Sequence, residues 1–287
     1  MNVDLFHIGP QKSATTWVYN CLSEHEEVFV PHTNTIHYYD MNYHRGRRWY
    51  ETFFAGAQEE QIRFDPTMTY IRSPWAPRRI ARENPNAKIM LCLRDPIDRA
   101  FSHYWHEKKK GKISFEFEEV LENYDLYSSW LEPGFYAEHI ERYLQYFDRE
   151  QILCLHFETL RDDEREFMRQ ILHFADIDDD FEPSWLNKKS NEAGGRRTVA
   201  NRMWHGLKGT VAQSELESIA RRLQLDEAAQ QLETLPIVGS LLNDKEEYEQ
   251  GISSELREEL VDLCEPEIQR LENLLDIRLP HWRSVKS

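Results

Sequence analysis

The sequence predicts an α/β fold of three layers, with a central, mainly parallel sheet flanked by helices. Residues 87–95 (AKIMLCLRD) and 151–158 (QILCLHFE) are continuous apolar runs, as is typical of strands that are buried on both faces of a parallel sheet. A helical pattern at 95–109 follows the first run, and another at 135–147 precedes the second. Strands that alternate with helices in this way indicate parallel pairing through crossover connections.

The other elements follow from local patterns in chain order. Residues 3–9 (VDLFHIG) predict a short strand, residues 15–25 a helix, and residues 62–65 (IRFD) a further strand. The helix after the strongest apolar run is expected to begin with Asp95 as its N-cap and Pro96 at its first position. Both residues favour helix initiation at these positions.

The last part of the chain is polar and helical in pattern. Residues 256–275 (LREELVDLCEPEIQRLENLL) form an amphipathic segment, which we expect to be broken at Pro266 because proline lacks the backbone N–H. No repeat or low-complexity linker divides the sequence. We therefore interpret residues 1–287 as a single domain, in which residues 200–287 are a helical C-terminal portion.

Charge and cysteine usage limit the function classes. The 35 Lys and Arg residues against 51 Asp and Glu residues give a net charge of −16, so nucleic acid and acidic membranes are not expected partners. The four cysteines are scattered without metal-ligand spacing and predict reduced thiols. The sequence shows no signal-like or membrane-spanning segment, which predicts a cytoplasmic protein. A separate expectation is that the protein requires no metal. The oligomeric state is left open.

Residues 9–17 (GPQKSATTW) have the layout of a phosphate-binding loop, in a P-loop-like strand–turn–helix arrangement. The helix N-terminus presents unpaired backbone N–H groups to an anion. Lys12 adds a mobile positive charge, and Ser13, Thr15 and Thr16 add hydroxyl donors. The second glycine of G-x-x-x-x-G-K-[ST] is missing, so the nucleoside-triphosphatase motif fails. An ordinary turn with Thr15 as helix cap is the alternative.

This loop resembles the 5′-phosphosulfate-binding loop of sulfotransferases that use 3′-phosphoadenosine 5′-phosphosulfate (PAPS). Its Lys-Ser-x-Thr-Thr-Trp portion is similar to the cytosolic enzymes, and its Gly-Pro-Gln-Lys portion to the heparan sulfate N-sulfotransferase branch. The resemblance implies that Lys12 stabilises the leaving phosphate and that Trp17 stacks on adenine. The residues that it places on the donor are Gln11, Lys12, Ser13, Ala14, Thr15, Thr16 and Trp17.

A second anion site is expected after the strongest strand, where Arg94 is followed eight residues later by Ser102. An arginine at the carboxyl end of a parallel strand points into the crevice where α/β folds bind ligands, and its planar guanidinium suits a phosphate. The family has the same Arg and Ser spacing, which implies that Arg94 and Ser102 hold the 3′-phosphate of PAPS. A surface pair of Arg94 with Asp95 or Asp98 is the alternative.

Two more stretches extend the resemblance. Residues 134–163 resemble the family's Gly-x-Tyr helix and the next strand, which implies that Tyr136 lies near the nucleotide. NEAGGRR (191–197) resembles the loop that closes over the 3′-phosphate, with a solvated basic loop as the alternative. The residues that it assigns to the donor are Gly195, Arg196 and Arg197.

The general base is where this sequence departs from the family. In the glycan-sulfating branch a Glu serves as base, but NTIHYYD (34–40) has Thr35 at that position. His37 ranks first as a replacement because its ordinary pKa suits base chemistry near neutrality. Asp65, which follows Phe64 in FDPTMTY, lies where relatives have another Glu and ranks second. A structural role is the alternative for His37.

The resemblance thus implies sulfuryl transfer from PAPS to a hydroxyl, or as a second choice an amine, of a glycan or small-molecule acceptor, with 3′-phosphoadenosine 5′-phosphate (PAP) as product. A small-molecule kinase and a non-catalytic nucleotide-binding protein are the alternatives. The acceptor is not readable, since a nearby aromatic group fits a pocket lining as well as a core. Its members are Tyr38, Tyr39, Tyr43, Trp49 and Tyr50.

Overall fold

The computed structural model describes residues 1–186 and 251–285, and its strands form one all-parallel sheet. The strands are β1 (Leu5–His7), β2 (Val28–Phe29), β3 (Ile62–Asp65), β4 (Lys88–Leu93) and β5 (Ile152–His156). Their order in the sheet is β2-β3-β1-β4-β5. Because β1 lies between β3 and β4, the loops at the carboxyl ends of these three strands meet at one edge, where open α/β sheets bind ligands.

Helices connect and flank the strands, as the alternating pattern predicts. They are α1 (Thr15–Leu22), α2 (Arg47–Glu51), α3 (Ala76–Glu83), α4 (Pro96–Lys108), α5 (Tyr124–Trp130), α6 (Tyr136–Leu144), α7 (Phe157–Asp162), α8 (Glu164–Ala175) and α9 (Ser254–Leu275). Short 3-10 turns lie at Tyr43–Arg45, Thr52–Phe54, Tyr70–Arg72, Phe117–Leu121, Glu132–Gly134, Arg149–Gln151 and Pro280–Arg283. The predicted α/β fold with a parallel sheet is confirmed.

The start of α4 is capped as predicted. Asp95 Oδ1 accepts hydrogen bonds from the backbone N–H groups of Ile97 at 2.8 Å and Asp98 at 3.1 Å, which would otherwise lack helical partners. Pro96 occupies the first helical position. This arrangement fixes the direction in which the chain leaves β4, and therefore the position of Arg94 between the two elements.

The predicted break at Pro266 is wrong, because α9 continues through this proline. Buried residues recur every three or four positions on both sides of it, so one apolar stripe spans the whole helix, and its packing outweighs the hydrogen bond that proline removes. The apolar members of this stripe are Leu256, Leu260, Cys264, Ile268 and Leu271.

A buried ion-pair cluster attaches α9 to the start of α4. Arg257 donates to Asp95 Oδ2 at 2.5 Å and to Asp98 Oδ1 at 2.6 Å. Burial raises the pKa of the Asp95 carboxyl, and the guanidinium opposes that shift. Since both acids bind Arg257, the C-terminal helix is held against the element that carries Arg94.

The chain divides into two compact units, Met1–Tyr104 with Phe115–Ser190 and Ser254–Ser287, and Trp105–Ser114 with Asn191–Ser253. The expected single domain stays a prediction, and most of its helical C-terminal portion before residue 251 lies outside the described residues. Among the helices that the structure describes, none is long and apolar enough to cross a membrane.

Candidate active site

The loop between β1 and α1 is shaped around Gly9. Its φ of +111° favours glycine, and a Cβ atom there would lie 1.9 Å from the carbonyl oxygen of Met68. The loop therefore lies directly against the segment that follows β3. Thr15 adds a weak contact across the same junction, from its Oγ1 to the sulfur of Met68 at 3.9 Å.

The backbone of the loop directs donors toward an anion. Lys12 and Ala14 have positive φ values of 69° and 62°, a conformation that is uncommon for residues other than glycine and that occurs at ligand-binding sites. Ala14, not Thr15, is the N-cap residue of α1, and among the described residues no side-chain hydrogen bond caps this helix. The N–H groups of the first turn are thus left for a ligand.

Arg94 reaches this loop from the neighbouring strand. Its Nη1 donates a hydrogen bond to the carbonyl oxygen of Lys12 at 2.7 Å, and its guanidinium carbon lies 4.5 Å from the centre of the Phe157 ring. Within the described residues Arg94 makes no ion pair with Asp95 or Asp98, the alternative that the sequence leaves open, and both carboxylates bind Arg257 instead. The structure brings the two predicted anion sites together at the carboxyl edge of the sheet.

Tyr136 holds the backbone of Arg94. The Tyr136 hydroxyl accepts a hydrogen bond from the Arg94 N–H at 3.1 Å and donates one to the Arg94 carbonyl oxygen at 2.9 Å. Burial raises the pKa of this phenol to about 12, so it is a neutral hydrogen-bonding group. Ser102 is half-buried in α4, two turns beyond Arg94. That Tyr136 and Ser102 contact the nucleotide stays a prediction.

Trp17 lies in the core beneath the loop. Its side chain is 3% exposed and meets the ring of Phe167 edge-on, with 5.7 Å between ring centres. The indole is covered by protein in this structure, so its stacking on adenine stays a prediction. Gly195, Arg196 and Arg197 lie outside the described residues.

His37 is bound to a carboxylate and a hydroxyl. Its Nδ1 lies 3.3 Å from Asp40 Oδ2 and 3.0 Å from Thr69 Oγ1. The bond to Asp40 is the main cause that raises the pKa of His37, while partial burial opposes it. His37 has a positive φ of 56°. Thr69 follows Met68, the residue that touches Gly9, so His37 belongs to the same edge as the anion loop.

Asp65, the second-ranked candidate base, is enclosed by donors within the protein. Its carboxylate is fully buried, and its two oxygens accept four hydrogen bonds. Oδ1 accepts from the Thr67 N–H at 3.0 Å and the Thr67 hydroxyl at 2.5 Å, and Oδ2 from the hydroxyls of Tyr50 at 2.7 Å and Tyr70 at 3.1 Å. Donors within the protein already fill this carboxylate, which argues against a general base.

The partners of Asp65 in turn hold the segment that carries His37. The Thr67 hydroxyl accepts a hydrogen bond from the N–H of Ile36 at 2.9 Å. The Tyr70 hydroxyl accepts from the N–H groups of Tyr38 at 3.0 Å and Tyr39 at 3.3 Å. Asp65 is therefore the centre of a network that connects β3 to residues 36–39.

Sequence reasoning missed Asp40 and Thr69, together with the network residues Thr67 and Tyr70. The signal lay in the pattern T-M-T-Y directly after β3, whose hydroxyl side chains alternate where the strand ends. The aromatic group near His37 is largely core, since Tyr38, Tyr39 and Tyr50 are buried, and the rings of Tyr38 and Tyr50 stack with 4.4 Å between centres.

An open parallel sheet with a phosphate-type loop and an arginine at its carboxyl edge is typical of α/β proteins that bind phosphorylated ligands. The family model described as the sulfotransferase domain matches residues 2–205. The chain therefore belongs to the sulfotransferase family, which disfavours the kinase alternative.

The chain is similar in sequence to curated proteins over part of its length and similar in fold to a solved structure over nearly all of it. The chain is 34% identical over 189 residues to bifunctional heparan sulfate N-deacetylase/N-sulfotransferase 4 of Mus musculus, which covers 59% of this chain and 22% of that protein. It is 35% identical over 189 residues to bifunctional heparan sulfate N-deacetylase/N-sulfotransferase 3 of Homo sapiens, and this alignment also covers 59% of this chain and 22% of that protein. The chain thus spans about a fifth of the length of these curated relatives.

A solved structure extends the likeness to nearly the whole chain. The crystal structure of a sulfotransferase from Alicyclobacillus acidocaldarius covers 99% of this chain and 100% of its own, with a TM-score of 0.70 and 22% identity. At that identity the likeness shows the fold alone. Within the described residues, no three His, Cys, Asp or Glu side chains are grouped as a metal ion would need.

Proposed function

We propose that this chain transfers a sulfuryl group from PAPS to a hydroxyl group, or as a second choice an amine, of a glycan or small-molecule acceptor. The hydrogen bond from Arg94 to the carbonyl oxygen of Lys12 carries the proposal, because it joins two anion-binding elements at one crevice. PAPS has phosphate groups at both its 5′ and 3′ positions. A protein that holds it needs two adjacent anion sites.

The residues of the crevice fit this donor. The uncapped first turn of α1 and the positive-φ residues Lys12 and Ala14 offer N–H donors to the 5′-phosphosulfate. Arg94 and Ser102 are the residues that would hold the 3′-phosphate, through charge-assisted hydrogen bonds. When bound, PAPS supplies a sulfuryl group attached to a phosphate leaving group.

Lys12 and His37 divide the chemistry between them. Lys12 supplies positive charge where negative charge grows on the leaving phosphate, which is the kind of stabilisation that lowers a barrier most. His37 takes the proton of the acceptor. Its place beside Thr69 supports this role, because the adjacent Met68 contacts Gly9 of the anion loop.

The surface beside His37 suits a compact acceptor. Met41 is 67% exposed and Trp75 is 59% exposed. Arg79 donates to the carbonyl oxygen of Asp40, the residue before Met41, and its guanidinium carbon lies 6.0 Å from the Trp75 ring centre. An exposed indole offers a stacking face to a sugar or aryl ring. The net charge of −16 disfavours a long polyanionic glycan.

A reducing, cytoplasmic location remains part of the proposal. Cys21, Cys92, Cys154 and Cys264 are free thiols in this structure, and all but Cys154 are buried. Loss of contact with water raises the pKa of all four thiols, including that of the partly exposed Cys154, which keeps them protonated near neutral pH. Cell fractionation with thiol labelling tests this location.

The donor is tested first by calorimetry with PAP and with adenosine monophosphate. Tighter binding of PAP supports a site for the 3′-phosphate, and equal binding would contradict it. Transfer of radiolabelled sulfate from PAPS is then measured on phenols, neutral oligosaccharides and amino sugars. Binding of PAP without transfer to any acceptor would favour the non-catalytic alternative.

A further inference from the structure

Asp40, Thr69 and His37 form a closed triangle of hydrogen bonds. The Thr69 hydroxyl donates to Asp40 Oδ2 at 2.5 Å, while His37 Nδ1 lies 3.0 Å from the same hydroxyl and 3.3 Å from the same carboxylate oxygen. The other oxygen of Asp40, Oδ1, accepts the backbone N–H of Met41 at 2.7 Å. The two atoms that face Nδ1, Asp40 Oδ2 and Thr69 Oγ1, are therefore also hydrogen-bonded to each other.

The directions of these bonds fix the position of the histidine proton. Burial works to raise the pKa of Asp40, but the hydrogen bonds from His37, Thr69 and Met41 together lower it, so its carboxylate is ionised and only accepts. Thr69 has one hydroxyl hydrogen, and it is used on Asp40. The contact between Thr69 and His37 therefore requires a hydrogen on Nδ1, and Nε2 is left with the lone pair.

The backbone around His37 supports the same orientation. The His37 carbonyl oxygen accepts from the N–H groups of Met41 at 3.2 Å and Asn42 at 2.7 Å, which closes a turn at the positive φ of His37. The charged groups that act on His37 are Asp40 and Asp65. In the described part of the chain, Nε2 has no hydrogen-bond partner.

We propose that Asp40 and Thr69 are positioning residues that hold neutral His37 with its hydrogen on Nδ1, so that Nε2 accepts the proton of the acceptor hydroxyl. The inference rests on the proposed function. In the step, the acceptor O–H bond breaks and its proton goes to Nε2. The acceptor oxygen forms a bond to sulfur, and the bond between sulfur and the phosphate oxygen breaks, with its electron pair leaving on phosphate.

Asp40→Asn is the most specific test, because the Met41 N–H donates to the Oδ1 position and therefore holds the amide oxygen of the new Asn side chain there. The amide NH₂ then faces His37 where Oδ2 was, and two donors cannot face each other. We expect His37 to change to the form with its hydrogen on Nε2, and kcat to fall roughly 100-fold, within the range that a general base supplies. Thr69→Val removes the hydroxyl, and Thr69→Ser is its matched control.

The readout is ¹⁵N NMR of selectively labelled histidine, assigned with His37→Gln and recorded above the pKa of His37 with and without PAP. We expect Nδ1 to carry the hydrogen in the wild type and in Thr69→Ser, and Nε2 to carry it in Asp40→Asn. A wild-type hydrogen on Nε2, or an unchanged proton position in Asp40→Asn, would overturn the inference.

Kinetics separates this inference from the proposed function. Asp40→Asn is expected to bind PAP as the wild type does, because it leaves Lys12 and Arg94 intact. Its kcat should fall, while its KM for PAPS should stay unchanged. If the wild type transfers sulfate, His37→Gln is inactive and Asp40→Asn is fully active, the positioning role fails while the function stands. If the wild type neither binds PAP nor transfers sulfate, the proposed function fails and the inference fails with it.

Discussion

The side chain of Arg94 donates a hydrogen bond to the backbone carbonyl of Lys12 over 2.7 Å, across 82 positions of sequence. Arg94 directly follows strand β4, and Lys12 lies in the loop after the central strand β1. Because Arg94 is also held at its backbone by Tyr136 and at its side chain by Phe157, the loop is attached to a rigid support. The two candidate anion sites are therefore held in fixed positions relative to each other.

Arg94→Ala should weaken PAP binding by about 1.5–3 kcal/mol, the usual value for a hydrogen bond to a charged group. Calorimetry measures this directly. Arg94→Lys is the control, since it keeps the charge but cannot bind the Lys12 carbonyl and a phosphate through one planar group. Equal loss for PAP and adenosine monophosphate would contradict a role at the 3′-phosphate.

Lys12→Met should lower kcat by roughly 10²–10³-fold, the cost of removing one group that stabilises charge in a transition state. Methionine keeps much of the chain length and removes only the charge. We expect a much smaller change in PAP affinity, because the loop N–H groups remain. Steady-state rates with saturating PAPS provide the test, and a loss confined to PAPS binding would argue for a purely binding role.

Gly9→Ala should abolish donor binding and lower the free energy of unfolding by about 2–3 kcal/mol, since the new Cβ would overlap the Met68 carbonyl. Gly111→Ala is the matched control. Gly111 also has a positive φ, of 67°, but no atom of the residues that the structure describes lies within 4 Å of its Cβ position, so only about 1 kcal/mol of backbone strain is expected. Chemical denaturation and calorimetry of both variants test the difference, and similar losses would show that the close approach to Met68 is not decisive.

The sheet could be predicted because its strands carry the signal themselves. The runs that became β4 and β5 are apolar on both faces, and the Asp95-Pro96 pair marks a helix start by local chemistry. The strand β2 has only two residues, Val28–Phe29, too few to show a period. Pro266 was misread because the packing of a helix face is not visible in local rules.

The candidate site divides in the same way. Lys12 and Arg94 follow strand ends, so their meeting at one edge follows from a parallel sheet. The burial of Asp65 and the filling of its oxygens could not be predicted, because they depend on Tyr50, a residue distant in sequence. Asp40 was missed because its partner Thr69 is 29 positions away, and a single sequence holds no trace of that contact.

Activity should depend on pH through His37. A base must be neutral, so kcat should rise with pH as His37 loses its proton. The bond to Asp40 raises the pKa of His37 above the ordinary value of 6.5, and the acid limb of kcat should have its midpoint above that value. In Asp40→Asn this midpoint should move to lower pH, because the carboxylate that favours the imidazolium is gone. A midpoint that stays in place in Asp40→Asn would assign the limb to another group.

Asp65→Ala should lower the free energy of unfolding by about 3–5 kcal/mol, because four donors of Thr67, Tyr50 and Tyr70 lose their acceptor in a fully buried place. Tyr50→Phe removes a single donor from the same carboxylate and should cost about 1 kcal/mol. Urea unfolding of both variants measures the ratio. A general base predicts the opposite pattern, in which Asp65→Asn unfolds like the wild type, binds PAP normally and loses its turnover. If that pattern were observed, Asp65 rather than His37 would be the residue that takes the acceptor proton.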